Sequence, residues 1–171
     1  MKTLKCFVRF VDTISDRIGL IASVLIPAMV LVLFYEVIAR YVFDRPSIWG
    51  FDVAIFMFGY CGLMAGPCVL KRHEHINVDI VITHFSPRGK AVFNVISGLL
   101  FFYFIVLVVL TCTEAAYSSI VFADRRPTEW APPIGHYKAL IPIGAFLLLL
   151  QGIANWIRDL YLALTGKEFT L

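Results

Sequence analysis

Residues 71–79, KRHEHINVD, form the densest run of polar and ionisable side chains in an otherwise strongly apolar chain. Two long uncharged runs precede this stretch, at residues 18–35 and 53–70, and two follow it, at residues 91–113 and 139–157. The four runs are 18 to 23 residues long, and a transmembrane helix needs about 20 apolar residues. The polar stretch is therefore predicted to be the turn between two hydrophobic hairpins.

The composition excludes an ordinary soluble globule. Of the 171 residues, 60% are hydrophobic and 16% are charged, whereas soluble domains carry about 25% charged residues. None of the four uncharged runs shows the polar face that a soluble core helix needs. We predict an all-α integral membrane protein, one membrane domain over residues 1–171, with four transmembrane helices plus amphipathic interfacial segments. The predicted spans are residues 18–40, 49–70, 90–113 and 138–158, with boundaries that are approximate.

Residues 1–17 are predicted to form an amphipathic helix at the membrane surface that runs into the first span. Asp12 and Asp16 fall away from a set of apolar residues that recur at helical spacing. That set is Leu4, Phe7, Val8, Val11, Ile14 and Ile18. Because Asp12, Asp16 and Arg17 interrupt any early apolar core, we expect an uncleaved anchor rather than a signal peptide.

The basic residues predict the orientation of the chain. Four spans place both termini and the central loop on one side of the membrane. Ten basic residues then fall on that side: Lys2, Lys5, Arg9, Arg17, Lys71, Arg72, Arg88, Lys90, Arg158 and Lys167. Five fall on the other: Arg40, Arg45, Arg125, Arg126 and Lys138. Because basic residues are enriched in cytoplasmic loops, both termini are predicted to be cytoplasmic.

Charged and aromatic residues around the first turn mark a candidate site. Glu36 and Arg40 are four residues apart with the acid first, which favours an ion pair on one helix face. Both residues lie at the end of the first predicted span, and a charged side chain within the membrane needs a charged partner or access to water. Trp49 is typical of an interfacial anchor, and Asp52 follows at the start of the second span. Two interpretations remain open: a salt-bridged rim with an aromatic belt, or a docking surface for another membrane protein.

Two spans carry signals of helix packing. Gly62 and Gly66 form a pair of small residues four apart, which allows helix backbones to approach closely in lipid. We expect this pair to pack within the subunit. Gln151 and Asn155 share one face of the last span, and amides in a membrane helix seek partners, so this face is expected to look into the protein.

The central loop could be a His-x-His metal site built on His73 and His75. No cysteine or further carboxylate cluster stands nearby to complete a tetrahedral zinc site, so no metal ligand is predicted. The alternative is a cytoplasmic turn in which Lys71 and Arg72 help to fix the orientation. The sequence favours the turn.

The sequence also lacks the chemistry of an enzyme. No nucleophile elbow, phosphate-binding loop or dinucleotide fingerprint occurs, and the basic residues do not cluster as a nucleic-acid stripe would. We therefore predict no enzymatic activity, no cofactor and no nucleic-acid partner; membrane lipids are the expected surroundings. The uncharged spans favour a supporting membrane subunit. Two alternatives are a membrane anchor of a redox enzyme and a small multidrug-type exporter with Glu36 as its proton-coupled site.

Four motifs follow one another along the chain: Glu36-x-x-x-Arg40-Tyr41-x-Phe43, Pro46-x-x-Trp49-x-x-Asp52, Gly62-x-x-x-Gly66 and His75-Ile76-x-Val78-Asp79. Together they resemble the small membrane subunit of tripartite ATP-independent periplasmic (TRAP) transporters. The resemblance extends over the whole chain, through the four spans, the basic central loop and a Pro-Pro-x-x-x-x-Lys approach to the last helix.

The resemblance implies two protein partners, a large membrane subunit that carries the substrate and sodium sites and a periplasmic substrate-binding protein. It implies a non-catalytic scaffold in the bacterial inner membrane, in a sodium-coupled system that imports a small organic acid. The sodium coupling is expected in the large subunit. The candidate structural or partner-interface residues are Glu36, Arg40, Trp49, Asp52, Arg72, His75 and Asp79.

Overall fold

A computed structural model describes residues 2–72 and 87–166, and four helices lie within these residues. The helices are α1 (Lys2–Tyr41), α2 (Gly50–Lys71), α3 (Pro87–Val121) and α4 (Gly135–Thr165). Each is long and apolar enough to cross a membrane. A helix satisfies its backbone polar groups internally, as the hydrocarbon core requires. The prediction of an all-α integral membrane protein is confirmed.

Three of the helices are much longer than the hydrocarbon core is thick, α1 and α3 most of all, since α4 with 31 residues is about 46 Å long. Helix α1 has 40 residues and α3 has 35, so they are about 60 Å and about 52 Å long at 1.5 Å per residue. The hydrocarbon core is about 30 Å thick. Helices α1 and α3 therefore project well beyond it, and α3 ends at Val121.

The helices are arranged in a row rather than in a closed bundle. Among the described residues, the extensive contacts join α1 to α2, α2 to α4 and α4 to α3, with a smaller contact between α1 and α4. Helices α1 and α3 stand at the two edges of the row and have the most exposed spans, while α4 has the least exposed. Within residues 2–72 and 87–166, a row of this kind leaves both broad faces of the apolar helices uncovered.

Glycines allow close approach at the contacts within the row. A Cβ at Gly144 would lie 3.2 Å from the Leu63 carbonyl oxygen of α2, and a Cβ at Gly66 would lie 3.0 Å from Leu148 of α4. Packing within the subunit is therefore confirmed for Gly66. It is wrong for Gly62, where a Cβ would meet nothing within 4 Å, because this residue lies on the exposed side of α2.

We call the end of the row with residues 41–50 and 122–134 the loop end. The opposite end, where α1 begins and α4 ends, is the terminal end. Helix α4 stops there at Gly166, whose left-handed backbone (φ 67°) and N–H bond to Leu162 end the helix in the way that glycine favours.

The first half of α1 differs from the surface helix that the sequence predicts. It is continuous with the first span, but Val8 and Val11 are buried with Ala154 of α4. Asp12 was assigned to the exposed polar face, and this is wrong: its exposed fraction is 7%. The reason is that α4 presents matching polar partners at this level, so a mixed polar and apolar face of α1 packs on α4 rather than on lipid.

Candidate functional site at the loop end

Four of the predicted site residues lie together at the loop end. Glu36 and Arg40 occupy the last turns of α1, Trp49 immediately precedes α2, and Asp52 lies in the first turn of α2. Arg72 lies at the opposite end, exposed, directly after α2. The structure therefore separates it from the other four.

The remaining predicted site residues, His75 and Asp79, lie outside the described residues, as does His73. Within residues 2–72 and 87–166, no three His, Cys, Asp or Glu side chains lie together as a metal ion would require.

The Glu36 carboxylate fastens the turn between α1 and α2. Its Oε1 accepts a hydrogen bond from Arg40 Nη2 at 2.9 Å, and its Oε2 accepts from the Ser47 backbone N–H at 3.3 Å and from the Ser47 hydroxyl. The Ser47 Oγ in turn accepts from the Gly50 N–H at 3.0 Å, an orphan donor of the first turn of α2. Glu36 thus connects the end of α1 to the start of α2.

The Glu36–Arg40 pair is asymmetric in its exposure. The Glu36 side chain is 7% exposed and the Arg40 side chain 53%. The glutamate is therefore enclosed by its own chain, while the guanidinium faces outward and has donors left for another acceptor. Of the two open interpretations, Glu36 fits the salt-bridged rim and Arg40 is available to a docking partner.

Asp52 fastens the second connection, between α3 and α4. Its Oδ2 accepts a hydrogen bond from Thr128 Oγ1 at 2.5 Å, and its Oδ1 lies 3.4 Å from Arg126 Nε. The Asp52 side chain is buried, and its place in the first turn of α2 puts the carboxylate at the positive end of the helix dipole. Asp52 therefore holds the loop of residues 122–134 against α2.

The loop of residues 122–134 is braced by its own backbone. Arg126 N–H donates to the Pro132 carbonyl at 2.9 Å, and Ile134 N–H donates to the Asp124 carbonyl at 3.0 Å. The Asp124 carboxylate also pairs with Lys138 of α4 at 3.1 Å. The nearby Ser119 hydroxyl and then the Lys138 ammonium lower the pKa of Asp124, so this carboxylate stays ionised and its pair with Lys138 keeps α4 attached to the loop.

Aromatic side chains line the loop end. Trp49 stacks on Tyr35 with ring centroids 5.8 Å apart, and both rings remain partly exposed. Trp130 is also exposed on the 122–134 loop. Tryptophan and tyrosine concentrate where the bilayer meets water, so this end of the row has the composition of an interfacial belt.

A second polar cluster lies toward the terminal end, and the sequence analysis identified only two of its members, Gln151 and Asn155. Gln151 is fully buried and donates to Asp12 Oδ1 and Asn155 Oδ1, both at 3.2 Å, while its own Oε1 accepts from Ser15 at 2.7 Å. Arg158 pairs with Asp12 and donates to Asn155 Oδ1 at 3.1 Å. The prediction that Gln151 and Asn155 face the protein interior is confirmed.

We call this cluster the clasp: Asp12, Ser15, Gln151, Asn155 and Arg158. Asn155 Nδ2 extends it to α2 by donating to the Leu70 carbonyl at 2.8 Å. The clasp therefore joins three helices, and the amide spacing of Gln151 and Asn155 was its only signal in the sequence. Its acidic member could not be found because Asp12 and Arg158 are 146 residues apart.

The fold defines a small multi-pass helical membrane protein. Among the described residues, its buried ionisable groups form ion pairs and hydrogen bonds that hold helix ends together. Residues 29–161 match the family described as tripartite ATP-independent periplasmic transporters, DctQ component. The chain belongs to this family. It is thus a small membrane subunit of a TRAP transporter, a transport component and not an enzyme, and the predicted resemblance is confirmed.

One relative is the C4-dicarboxylate TRAP transporter small permease protein DctQ of Vibrio cholerae serotype O1. It is 29% identical over 89 residues, which make up 52% of this chain and 37% of the relative. The chain thus aligns with well under half of that relative's length.

Proposed function

We propose that this chain is a scaffold that braces the large membrane subunit of a sodium-coupled importer of a small organic acid. The observation that carries the proposal is the row of helices, in which the described residues leave two broad apolar faces uncovered. A protein that moves substrate alone usually places ionisable groups or broken helices near the bilayer midplane. The buried charged side chains among the described residues, Asp12, Glu36 and Asp52, lie instead toward the two ends of the row.

The position of Glu36 favours the scaffold over a small multidrug-type exporter. An exporter needs a carboxylate that binds and releases protons near the middle of the membrane. Glu36 is five residues from the end of α1, and three donors from Arg40 and Ser47 occupy its oxygens. This is the environment of a structural carboxylate.

Helix α2 offers a specific surface for the large subunit. It stands inside the row, yet Phe51, Phe58 and Gly62 are all exposed along one side of it. A glycine with open space above it lets another helix approach closely. We assign this stripe of α2 to the contact with the large subunit.

The loop end carries the features expected of a contact with the substrate-binding protein. Arg40, Arg45 and Arg125 are exposed there, and an acidic surface on the binding protein would be steered toward them. The distribution of basic residues supports an orientation with this end in the periplasm and both termini in the cytoplasm of a bacterial inner membrane. Arg72, His75 and Asp79 would then face the cytoplasm as candidates for contact with the large subunit.

The organic acid is proposed from family membership, since the Vibrio cholerae relative is named for C4-dicarboxylates. The exposed loop-end arginines do not select that substrate, because they would meet the binding protein rather than the acid itself. Sodium coupling is assigned to the large subunit.

Co-purification with the large membrane subunit tests the proposed scaffold surface. Gly62→Trp should reduce recovery of the large subunit severalfold, because the indole would fill the open space on α2. Gly62→Ala is the matched control and should leave recovery unchanged. Normal recovery with Gly62→Trp would show that the stripe faces lipid and would remove this surface from the proposal.

A further inference from the structure

A groove of about 500 Å³ opens between α3, α4 and the last turn of α2. This volume lies within the roughly 300–1,000 Å³ of typical ligand pockets. It lies in the half of the row nearest the terminal end, away from Glu36 and Asp52. Of the predicted site residues that the structure describes, Glu36, Arg40, Trp49, Asp52 and Arg72, none lines it.

The groove changes from polar to apolar along the helices. Asn94, Ser97 and Asp159 line it toward the terminal end, and Ile105 and Leu148 line it toward the middle of the row. On both α3 and α4 the lining covers about eleven residue steps, which is about 16 Å of helix. One leaflet contributes about 15 Å of hydrocarbon, so the groove has the depth and the polarity gradient of a single leaflet.

Aromatic rings packed on glycines form the floor of the groove. A Cβ at Gly98 would lie 2.6 Å from Trp156 Cδ1, and a Cβ at Gly152 would lie 2.5 Å from Phe101 Cε1. Trp156 is fixed further by a hydrogen bond from Nε1 to the Val95 carbonyl at 3.1 Å. The groove is therefore built by rigid groups and does not depend on a flexible side chain to keep it open.

We propose that this groove binds one phospholipid, with an acyl chain along its apolar part and an ethanolamine headgroup at its polar end. Among the described residues that line the groove, Asp159 is the one with a charged side chain, and its carboxylate disfavours an anionic headgroup there. An ethanolamine ammonium donates hydrogen bonds, which a choline headgroup cannot do. Asp159 also has a partner within the protein, and the two oxygens of a carboxylate accept further donors.

Asn94 and Ser97 suit the remainder of such a headgroup. The Asn94 side chain is half-buried at the polar end, and an amide both donates and accepts. The Ser97 hydroxyl donates a hydrogen bond to the Asn94 backbone carbonyl at 3.2 Å, and this bond keeps the hydroxyl beside the groove.

Fluorescence of Trp156 in lipid vesicles tests the proposal. The chain has three tryptophans, and Trp49→Phe with Trp130→Phe leaves Trp156 alone in the groove. The full-length variant is placed in phosphatidylcholine vesicles with equal mole fractions of brominated phosphatidylethanolamine, phosphatidylcholine or phosphatidylglycerol, whose bromines quench a neighbouring indole. Brominated phosphatidylethanolamine should bind with about fivefold higher affinity than phosphatidylcholine, as expected for one net hydrogen bond.

Three substitutions locate the effect. Ser97→Phe fills the groove and should reduce quenching to that of bulk lipid, while Ile96→Phe, one position along α3 and outside the lining, should keep it. Asp159→Asn should lower the quenching by phosphatidylethanolamine toward that by phosphatidylcholine.

Three outcomes would overturn the proposal. Equal quenching by the three lipids in the parent protein would show that the groove selects no headgroup. Stronger quenching by phosphatidylglycerol would show an anionic lipid in its place. Loss of quenching when the large membrane subunit is added would show that a protein partner, and not a lipid, occupies the groove.

Discussion

The two ends of the helix row each bury an acid beside an arginine, but they do so by different routes. At the loop end, Glu36 and Arg40 are four residues apart on one helix. At the terminal end, Asp12 and Arg158 are 146 residues apart and come together only when α1 packs on α4. The first pair can form in an isolated helix, whereas the second pair can form only in the folded protein.

This difference separates the roles of the two ends. The loop end shapes two connections and presents Arg40 outward, so its changes should act first on contacts with partner proteins. The clasp at the terminal end joins α1, α2 and α4, so its changes should act first on the stability of the row itself.

The largest expected effect is on the clasp. Asp12→Ala removes the carboxylate that pairs with Arg158 and accepts from Gln151, and leaves both groups only the Asn155 Oδ1 acceptor within the clasp. Breaking one side of a buried ion pair costs roughly 3–5 kcal/mol. The Arg158 side chain is 22% exposed, so we expect a loss of about 2–3 kcal/mol in the free energy of unfolding, below that range because water screens the pair. Denaturant titration of the purified protein in detergent measures it.

Asp16→Ala is the matched control for the clasp. Asp16 pairs with Lys71 at 2.6 Å, but its side chain is 54% exposed, and an exposed pair contributes about 0.2–1 kcal/mol. Equal losses for Asp12→Ala and Asp16→Ala would contradict the distinction between a buried clasp and a surface pair.

The next effect concerns the loop that Asp52 holds. Asp52→Ala removes the acceptor of Thr128 and the counter-ion of Arg126, and hydrogen bonds to a charged group contribute about 1.5–3 kcal/mol each. We expect about 2 kcal/mol of lost stability and faster trypsin cleavage between Arg125 and Arg126. Glu129→Ala, an exposed change in the same loop, should leave the cleavage rate unchanged. A protected loop in Asp52→Ala would show that its backbone bonds suffice.

A smaller effect is expected at the start of α2. A Cβ at Gly50 would lie 2.7 Å from both Glu36 Oε2 and Ser47 Oγ, so Gly50→Ala should displace the carboxylate. Overpacking of this kind costs about 1–3 kcal/mol, and we expect the lower part of that range. In Gly62→Ala the methyl enters open space, and thermal unfolding should be unchanged. Equal midpoints for the two variants would show that the Glu36 contacts are dispensable.

The smallest expected effect is a dependence on pH. Because the pKa of Asp124 is lowered in the folded protein, its stabilisation is present above the ordinary aspartate pKa of about 3.9. It is lost as the pH falls below that value and through the folded pKa. Asp124→Asn should flatten this part of the stability profile. An unchanged profile in the variant would show that Asp124 contributes no pH-dependent stability.

Contacts between residues far apart in the chain could not be predicted from the sequence. The four helices follow from the uncharged runs, since hydrocarbon admits few alternatives to a helix. The Glu36–Arg40 pair follows from their spacing. The contact of Asp52 with Thr128 does not, because a loop between spans has no period that sets its position.

The first half of α1 shows the same limit. Its apolar residues predicted a helix that lies on the membrane surface. A hydrophobic pattern indicates which side chains are buried, but it does not indicate whether lipid or protein buries them. Asp12 looked exposed for the same reason. Gly62 and Gly66 share a spacing motif, yet the structure places only Gly66 against a neighbouring helix.

Reconstituted uptake tests the scaffold role most directly. The large subunit, the binding protein and this chain are combined in vesicles with a sodium gradient, and each component is omitted in turn. We expect uptake of the organic acid only when all three are present, and none from this chain alone. Gradient-driven uptake by this chain alone would contradict the scaffold role, and so would full uptake without it.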